Sequence, residues 1–254
     1  MRNIKSLGQN WLKNRVILDD IAELASSEKG TKLCVEIGPG LGTLTSSLLK
    51  RFDKVIAIEF DQTLAKNLPA SFPGKNLEVI NEDILAFDFA QINEPFVVAG
   101  NIPYYITTPI IKKLLSLDFK PERIVLLVQK EVAEKICDQT HSSSLSLFVQ
   151  NLATPSLGPV VKREFFTPPP KVDSRVLVLT PLKSPRFSSE LLSFIEKCFI
   201  SPRKKLTFAL KSLSSKNKEE LELALTKISL SASARPADLT LEDYAMLANI
   251  LKKS

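Results

Sequence analysis

The chain has few of the residues from which many catalytic and metal centres are built. Its 254 residues include one histidine and three cysteines, and no two cysteines form a CxxC pair. This scarcity argues against a histidine-based triad, a metal cluster and a disulfide framework. No apolar run reaches the roughly 18 residues of a membrane span, and residues 1–9 lack the apolar core of a signal peptide. We therefore expect a cytoplasmic protein without a metal or a membrane partner.

The chain is rich in apolar residues and carries a net positive charge. Hydrophobic residues make up 44% of the sequence, enough for one large domain or for a domain and a smaller one. The net charge of +6 is uneven: residues 181–254 hold 13 Lys and Arg against 8 Asp and Glu, whereas residues 1–180 hold 21 against 20. A basic C-terminal part favours a polyanionic partner such as RNA, although a soluble basic surface would give the same count.

Short apolar runs alternate with helical patterns through the first part of the chain. The runs with strand character are residues 33–37, 55–58, 77–80, 96–99 and 124–128. Such alternation predicts an α/β fold, a doubly wound and mostly parallel sheet with helices on both faces. Two later strand patterns, one from residue 160 to 166 and one at 175–179, are joined by a short connection and are expected to be antiparallel neighbours. Together the runs predict seven strands.

The pattern becomes helical after Pro181 and Pro185. Leu191, Ile195 and Phe199 lie on one face of the first helix of this part. We therefore place a domain boundary near residue 184, with an α/β domain in residues 1–183 and a small α-helical domain in residues 184–254.

A glycine-rich segment follows the first strand and precedes a helix. Within residues 36–42, Gly38 and Gly40 allow a tight turn and the close approach of a ligand to the backbone. The G-x-G-x-G spacing differs from the dinucleotide fingerprint, and Pro39 removes an N–H that could bind phosphate. This loop suits a ligand without a pyrophosphate, although glycine turns also occur in sheets that bind nothing.

Two acidic residues stand at the ends of the next two strands. Glu59 can accept hydrogen bonds from both hydroxyls of a ribose, and Asp83 can accept one from an adenine amine. Either acid alone could be a helix cap or a solvated strand end. Together with the glycine loop they indicate a nucleoside cofactor, and S-adenosylmethionine fits better than NAD because a pyrophosphate cradle is missing.

An amide, a proline and an aromatic ring follow the fourth strand, in the sequence Asn101-Ile102-Pro103-Tyr104. Open α/β sheets bind ligands at this edge. The amide oxygen of Asn101 can orient an exocyclic amine, and the ring of Tyr104 can stack on the base that carries it. Taken alone, the pattern allows amines of DNA or RNA and amides of proteins as acceptors, and Tyr104 could be a residue of the core.

The motifs together resemble those of the ribosomal RNA adenine N6,N6-dimethyltransferase family. They occur in family order and span almost the whole chain, at residues 9–12, 36–42, 101–105, 166–174, 235–240 and 247–249. The resemblance implies a class I, Rossmann-like methyltransferase that uses S-adenosylmethionine. Its implied substrate is a pair of adjacent adenosines in the 3′-terminal hairpin loop of small-subunit (16S) rRNA, within the immature 30S particle. We expect a monomer.

The resemblance also implies roles for residues at matching positions, and these extend the roles argued above. The expected cofactor-binding residues are Asn10, Leu12, Gly38, Gly40, Glu59, Asp83 and Asn101. The expected catalytic residues are Asn101, Pro103, Tyr104 and Phe166. In this assignment, Tyr104 and Phe166 sandwich the flipped adenine. The expected RNA-binding residues are Arg203, Lys204 and Lys205, although a basic triplet can also be a merely solvated helix face.

Two other functions fit parts of the pattern. The erythromycin-resistance methylases carry out the same chemistry on large-subunit rRNA, but the motifs in the C-terminal half favour the small-subunit class. A non-catalytic RNA-binding assembly or transcription factor would not need intact Gly38, Glu59, Asp83 and Asn101. Many relatives also carry an arginine in a loop where this chain reads Ser-Ser-Leu-Ser at 143–146, so contacts of that arginine cannot be carried over.

Overall fold

The computed structural model describes residues 10–26 and 29–252, so Gln9 of the N-terminal motif lies outside the described residues. The chain forms two compact units. The first comprises the chain up to Ala133 and the segment Ala153–Pro181, and the second comprises Glu134–Leu152 and the chain from Leu182. The return to the second unit at Leu182 lies close to the expected boundary, but the sequence pattern placed residues 134–152 in the first domain.

The first unit is built around strands. They are β1 (Trp11–Leu12), β2 (Leu33–Ile37), β3 (Lys54–Glu59), β4 (Leu77–Asn81), β5 (Phe96–Asn101), β6 (Ile124–Gln129), β7 (Ala153–Val161), β8 (Phe166–Thr167) and β9 (Ser174–Pro181). Its helices are α1 (Arg15–Ala25), α2 (Thr45–Leu48), α3 (Gln62–Asn67) and α4 (Thr107–Leu115). The next helix, α5 (Lys130–Cys137), begins in this unit and ends in the second.

Seven strands form one sheet in the order β4-β3-β2-β5-β6-β9-β7. The strands from β4 to β6 are parallel, and β9 runs antiparallel to both β6 and β7. The predicted α/β fold, with seven strands and an antiparallel pair at one edge, is confirmed. The predicted strand at 160–166 is misplaced: the edge strand β7 spans Ala153–Val161, and Arg163–Phe165 form a 3-10 turn. Pro155 hid the true start of β7 from sequence reasoning, but an edge strand tolerates a proline because only one of its sides needs ladder hydrogen bonds.

The core of the first unit follows from its apolar runs. All five residues of β2 are buried, as are the first five of β6, because helices cover the sheet on both faces. Helix α1 contributes an apolar stripe that includes Ile17 and Ile21, and its N-terminus is capped by Asn14, whose side chain accepts a hydrogen bond from the Ile17 amide at 3.2 Å. Each such fully buried aliphatic side chain stabilises the fold by about 1.5–3 kcal/mol.

The second unit is helical. It contains α6 (Ser144–Leu152), α7 (Ser189–Cys198), α8 (Leu206–Leu210), α9 (Lys218–Lys227) and α10 (Leu241–Lys252). These helices share a core to which α6 contributes Leu147 and α10 contributes Tyr244. The hydroxyl of Tyr244 donates to the carbonyl of Pro236 at 2.9 Å, so the buried phenol is satisfied. Within the described ranges, the helices are too short or too polar for a bilayer crossing.

Candidate active site

A cavity of about 210 Å³ opens in the first unit at the carboxyl ends of β2, β3 and β5. Eight of the residues predicted from sequence line it: Asn10, Gly38, Gly40, Glu59, Asp83, Asn101, Pro103 and Tyr104. Residues far apart in the chain meet here because the ends of parallel strands share one edge of the sheet. The arrangement contains carboxylate and amide acceptors, backbone groups and an aromatic ring in one concavity.

The glycine loop between β2 and α2 forms one wall of the cavity. Gly40 has a φ of +56°, a conformation that favours glycine. A Cβ built on Gly40 would lie 3.0 Å from Nε1 of Trp11, so the indole rests directly on this part of the loop. At Gly38, which also lines the cavity, no described atom lies within 4 Å of such a Cβ. The loop therefore offers open space at Gly38 and a close aromatic contact at Gly40.

Glu59 ties the glycine loop to the end of β3. One oxygen of its carboxylate accepts a hydrogen bond from the Gly40 amide at 3.0 Å, and the other accepts one from the Asp61 amide at 2.9 Å. The side chain is 6% exposed, and burial raises the pKa of Glu59 although both amides favour the charged form. Each carboxylate oxygen has a second lone pair, so the group can also accept from the hydroxyls of a ligand.

A second carboxyl group, that of Glu36, is buried in β2 just before the loop. It is 1% exposed and faces the hydroxyl and the amide of Thr45, although neither of its oxygens makes a hydrogen bond of standard geometry to a described residue. Burial raises the pKa of Glu36 to about 8, and the nearby Glu59 acts in the same direction. Burial outweighs the opposing effect of Thr45, so Glu36 favours the protonated form at neutral pH.

The far end of the cavity carries Asp83, which lies two residues beyond β4. Its carboxylate accepts from the Leu85 amide at 2.9 Å and is exposed, so it keeps acceptor capacity for a ligand. Sequence reasoning missed Phe60, which also lines the cavity and is 62% exposed. The sequence did contain a signal for Phe60: it directly follows Glu59 at the end of β3, so it would stand beside any ligand that Glu59 binds.

Asn101 ends β5, and its orientation is fixed by the N-terminal segment. Its Nδ2 donates to the backbone carbonyl of Asn10 at 2.9 Å. A carbonyl can only accept, so the amide nitrogen must face Asn10 and Oδ1 is left as the free acceptor of this side chain. Asn10 and Asn101 both line the cavity. The structure thus places the amide of Asn101 in the cavity, and its role toward a substrate stays a prediction.

Tyr104 follows on a single turn of 3-10 helix, Tyr104–Ile106, after Pro103. Its hydroxyl lies 2.6 Å from Oγ of Ser174, the last residue of the Pro-rich motif at residues 166–174. The neighbouring Tyr105 also lines the cavity and is 64% exposed, a second aromatic residue that sequence reasoning missed. The turn therefore presents two tyrosine rings: that of Tyr104, whose hydroxyl contacts Ser174, and that of Tyr105, which is exposed.

Leu12 and Phe166 are not among the residues that line the cavity. They pair across the small β1–β8 ladder and pack into the core of the first unit, with Leu12 at 0% and Phe166 at 3% exposure. The predicted sandwich of an adenine between Tyr104 and Phe166 is therefore not preformed. Trp11, which pairs with Thr167 in the same ladder, does line the cavity.

The basic triplet Arg203, Lys204 and Lys205 belongs to the second unit and is exposed. The ammonium group of Lys204 lies 3.7 Å from the ring centroid of Phe208, whose side chain is also exposed. A cation over an aromatic face is a modest attraction at an exposed site. The predicted role of this triplet in RNA binding stays a prediction.

The sheet order, with one reversed strand beside the last parallel strand and a cavity over the carboxyl ends, defines the class I methyltransferase fold. Two solved structures share it over 95% of the chain: the 23S rRNA methyltransferase ErmE (29% identity, TM-score 0.77, 99% of that chain) and a dimethyladenosine transferase from Plasmodium falciparum (28%, 0.78, 97%).

The family follows from the sequence comparisons. The model of the family described as ribosomal RNA adenine dimethylase matches residues 1–253. Proteins named ribosomal RNA small subunit methyltransferase A are 36% identical in Lactobacillus johnsonii (98% of this chain, 90% of that protein) and 38% identical in Thermosynechococcus vestitus (100% and 98%). The chain belongs to the ribosomal RNA adenine dimethylase family, which confirms the family and the enzyme class predicted from the motifs.

Proposed function

We propose that the chain transfers methyl groups from S-adenosylmethionine to N6 of two adjacent adenosines in the 3′-terminal hairpin loop of small-subunit (16S) rRNA. The observation that carries this proposal is the oriented amide of Asn101, whose Nδ2 is held by the Asn10 carbonyl at 2.9 Å. It leaves Oδ1 as an acceptor in the cavity that also contains Glu59 and Asp83. An exocyclic amine is a ligand that such an acceptor recognises.

The described residues fit the proposed methyl donor. Gly38 leaves open space where a side chain would stand, Glu59 has spare acceptor capacity for ribose hydroxyls, and exposed Asp83 can accept from the adenine amine. When bound, S-adenosylmethionine supplies an electrophilic methyl group on a positively charged sulfur. The leaving group is a neutral thioether, so no acid is needed to assist its departure. Asn10 and Leu12 are proposed to order the N-terminal segment over this group, Asn10 directly and Leu12 from the core.

Asn101 is proposed to align the acceptor amine. The lone pair of an aryl amine is delocalised into the ring, so a hydrogen bond from the amine to Oδ1 raises its nucleophilicity and fixes its direction. An amide is not a base, and the amine proton therefore leaves to water after the transfer. Pro103 fixes the turn that carries Ile102 and Tyr104, and the carbonyl near Ile102 is the proposed second acceptor.

Tyr104 is proposed to stack on the extruded adenine. Extrusion costs a few kcal/mol and is least costly in an unpaired loop. Stacking on an aromatic ring contributes about 1–3 kcal/mol per base, so Tyr104 alone offsets part of the cost. Phe166 would join as a second face only if its side chain left the core, because it is 3% exposed.

The names of the relatives support the small-subunit substrate, and the basic charge of the second unit supports an RNA partner. The relatives described above are named for the small subunit, whereas ErmE, which shares the fold, is named a 23S rRNA methyltransferase. Exposed Arg203, Lys204 and Lys205 are proposed to contact phosphates of the RNA within the immature 30S particle. We further propose that the enzyme works as a monomer in the cytoplasm, with its helical unit docking the RNA.

Asn101→Ala tests the mechanism. It removes Oδ1, and we expect methyl transfer to undermethylated small-subunit particles to fall about 100-fold or more, because alignment is the main contribution of the site. The assay is incorporation of labelled methyl groups, with the fold checked by circular dichroism. Asn93→Ala, a change of the same kind at an exposed position, is the matched control. Full transfer by the Asn101 variant would refute the mechanism.

The substrate is tested separately. Immature small subunits, mature small subunits and naked large-subunit rRNA are each offered to the enzyme, and dimethyladenosine is located by primer extension. Modification of large-subunit rRNA alone would favour the erythromycin-resistance class. Calorimetry with S-adenosylmethionine decides the remaining alternative, since a pure RNA-binding role predicts no binding of the donor.

A further inference from the structure

Ser174 contacts Tyr104, a residue that lines the cavity. Its side chain is 0% exposed, and it does not line the cavity itself. Its Oγ lies 2.6 Å from the hydroxyl oxygen of Tyr104, and either atom can be the donor. The buried hydroxyl of Ser174 can therefore influence the site only through Tyr104.

The sheet holds Ser174 in place on both sides. It is the first residue of β9, where it pairs with Gln129 of β6 and Val161 of β7. The preceding Asp173 is also fixed, because its carbonyl accepts from the Lys130 amide and its carboxylate from the Arg163 amide, both at 3.0 Å. The hydroxyl of Ser174 is therefore an anchor with little freedom to move.

Tyr104 is held less firmly by its own backbone. It lies on a single 3-10 turn, closed by a hydrogen bond from the Ile106 amide to the Pro103 carbonyl at 3.2 Å, and its side chain is partly exposed. Burial raises the pKa of Tyr104, so its hydroxyl stays protonated at neutral pH and can donate. The contact with Ser174 links the hydroxyl end of this ring to a strand of the sheet.

We propose that Ser174 is a positioning residue of the acceptor pocket, whose hydroxyl holds the Tyr104 ring at the angle at which it stacks on the target purine. The inference rests on the proposed stacking role of Tyr104. It gives the serine at the end of the Pro-rich motif a function of its own. Ser174 is not a catalytic residue, since it reaches the substrate only through Tyr104.

A double-mutant cycle tests this link. Ser174→Ala removes the anchor, Tyr104→Phe removes the hydroxyl but keeps the ring, and a third variant combines both. We expect each single change to lower kcat for methyl transfer to small-subunit particles roughly three- to tenfold, the range of one neutral hydrogen bond. The combined variant should lose no more than the larger single loss. Donor affinity, measured by calorimetry, should be unchanged in all three.

A merely structural role of Ser174 would give another pattern. Losses that multiply in the combined variant, or full activity of Ser174→Ala beside a weakened Tyr104→Phe, would overturn the inference. Thr180→Ala, at the exposed far end of the same strand, controls for changes in β9 and should keep wild-type activity. Should Ser174→Ala fail to fold, Ser174→Cys keeps a similar volume with a weaker hydrogen bond, and the same cycle is run with it.

Tyr104→Ala separates the two hypotheses. Full activity of this variant would remove the proposed stacking role and the inference with it. If Tyr104→Ala is inactive while Ser174→Ala matches the wild type, the proposed function stands and only the positioning role of Ser174 fails.

Discussion

Glu36 makes the stability of the enzyme depend on pH in an unusual direction. In the unfolded chain the carboxyl has its ordinary pKa of 4.5, whereas in the folded protein burial raises the pKa to about 8. The folded state therefore holds a proton that the unfolded state releases between these values. The stability that this proton contributes is complete below pH 4.5 and is lost as the pH rises through 8.

The magnitude follows from the proton difference. One proton per molecule changes the free energy of unfolding by about 1.4 kcal/mol per pH unit, so between pH 5.5 and 7.5 this residue alone lowers stability by about 3 kcal/mol. Glu36→Gln has no proton to lose and should lack this slope. Urea unfolding of both proteins at several pH values measures it, and the gap between them should widen in favour of the variant as the pH rises.

The comparison of slopes separates titration from packing. An unfavourable contact of the buried amide would shift the variant by the same amount at every pH and leave the slope unaffected. Glu94→Gln, which removes an exposed carboxylate from the same unit, controls for the change in net charge. Equal slopes for wild type and Glu36→Gln would show that Glu36 is ionised in the folded protein, and would refute the reasoning.

Two further substitutions test individual contacts. Gly40→Ala should weaken donor binding in calorimetry, because the new Cβ would lie 3.0 Å from Nε1 of Trp11. The control is Gly74→Ala, since Gly74 has a similar positive φ (+71°) but a Cβ there would have no described atom within 4 Å; this variant should bind the donor as the wild type does. Tyr244→Phe should lower the free energy of unfolding by about 1–2 kcal/mol in urea, since the Pro236 carbonyl loses its buried donor; an unchanged midpoint would contradict that assignment.

The sequence predicted the central strands of the sheet well because β2, β3, β5 and β6 are buried on both faces. Continuous apolar runs such as that of β6 need no tertiary information to be found. Helix α6 shows where such reasoning ends. Its apolar face predicts burial, but periodicity does not say which core receives it, and Leu147 packs in the second unit.

Those residues of the candidate site that stand at the carboxyl ends of parallel strands could be predicted from the sequence. Glu59 and Asn101 each end a parallel strand, so the topology alone brings them together. The contact of Tyr104 with Ser174 depends on the register of β9 against β6, and the burial of Phe166 depends on its pairing with Leu12. Pairings between distant segments leave no mark in local sequence, so these two features required the structure.

The path of the chain between its two units has a practical consequence. The chain leaves the first unit after Ala133, returns at Ala153 and leaves again after Pro181, so the helical unit is made of two segments that are not contiguous. Cutting the chain near residue 184 would not release it as a module. The remainder would keep α6 without the helices that bury Leu147, exposing an apolar surface that promotes aggregation. A soluble minimal catalytic fragment would therefore require a linker in place of residues 134–152 as well as removal of the C-terminal helices.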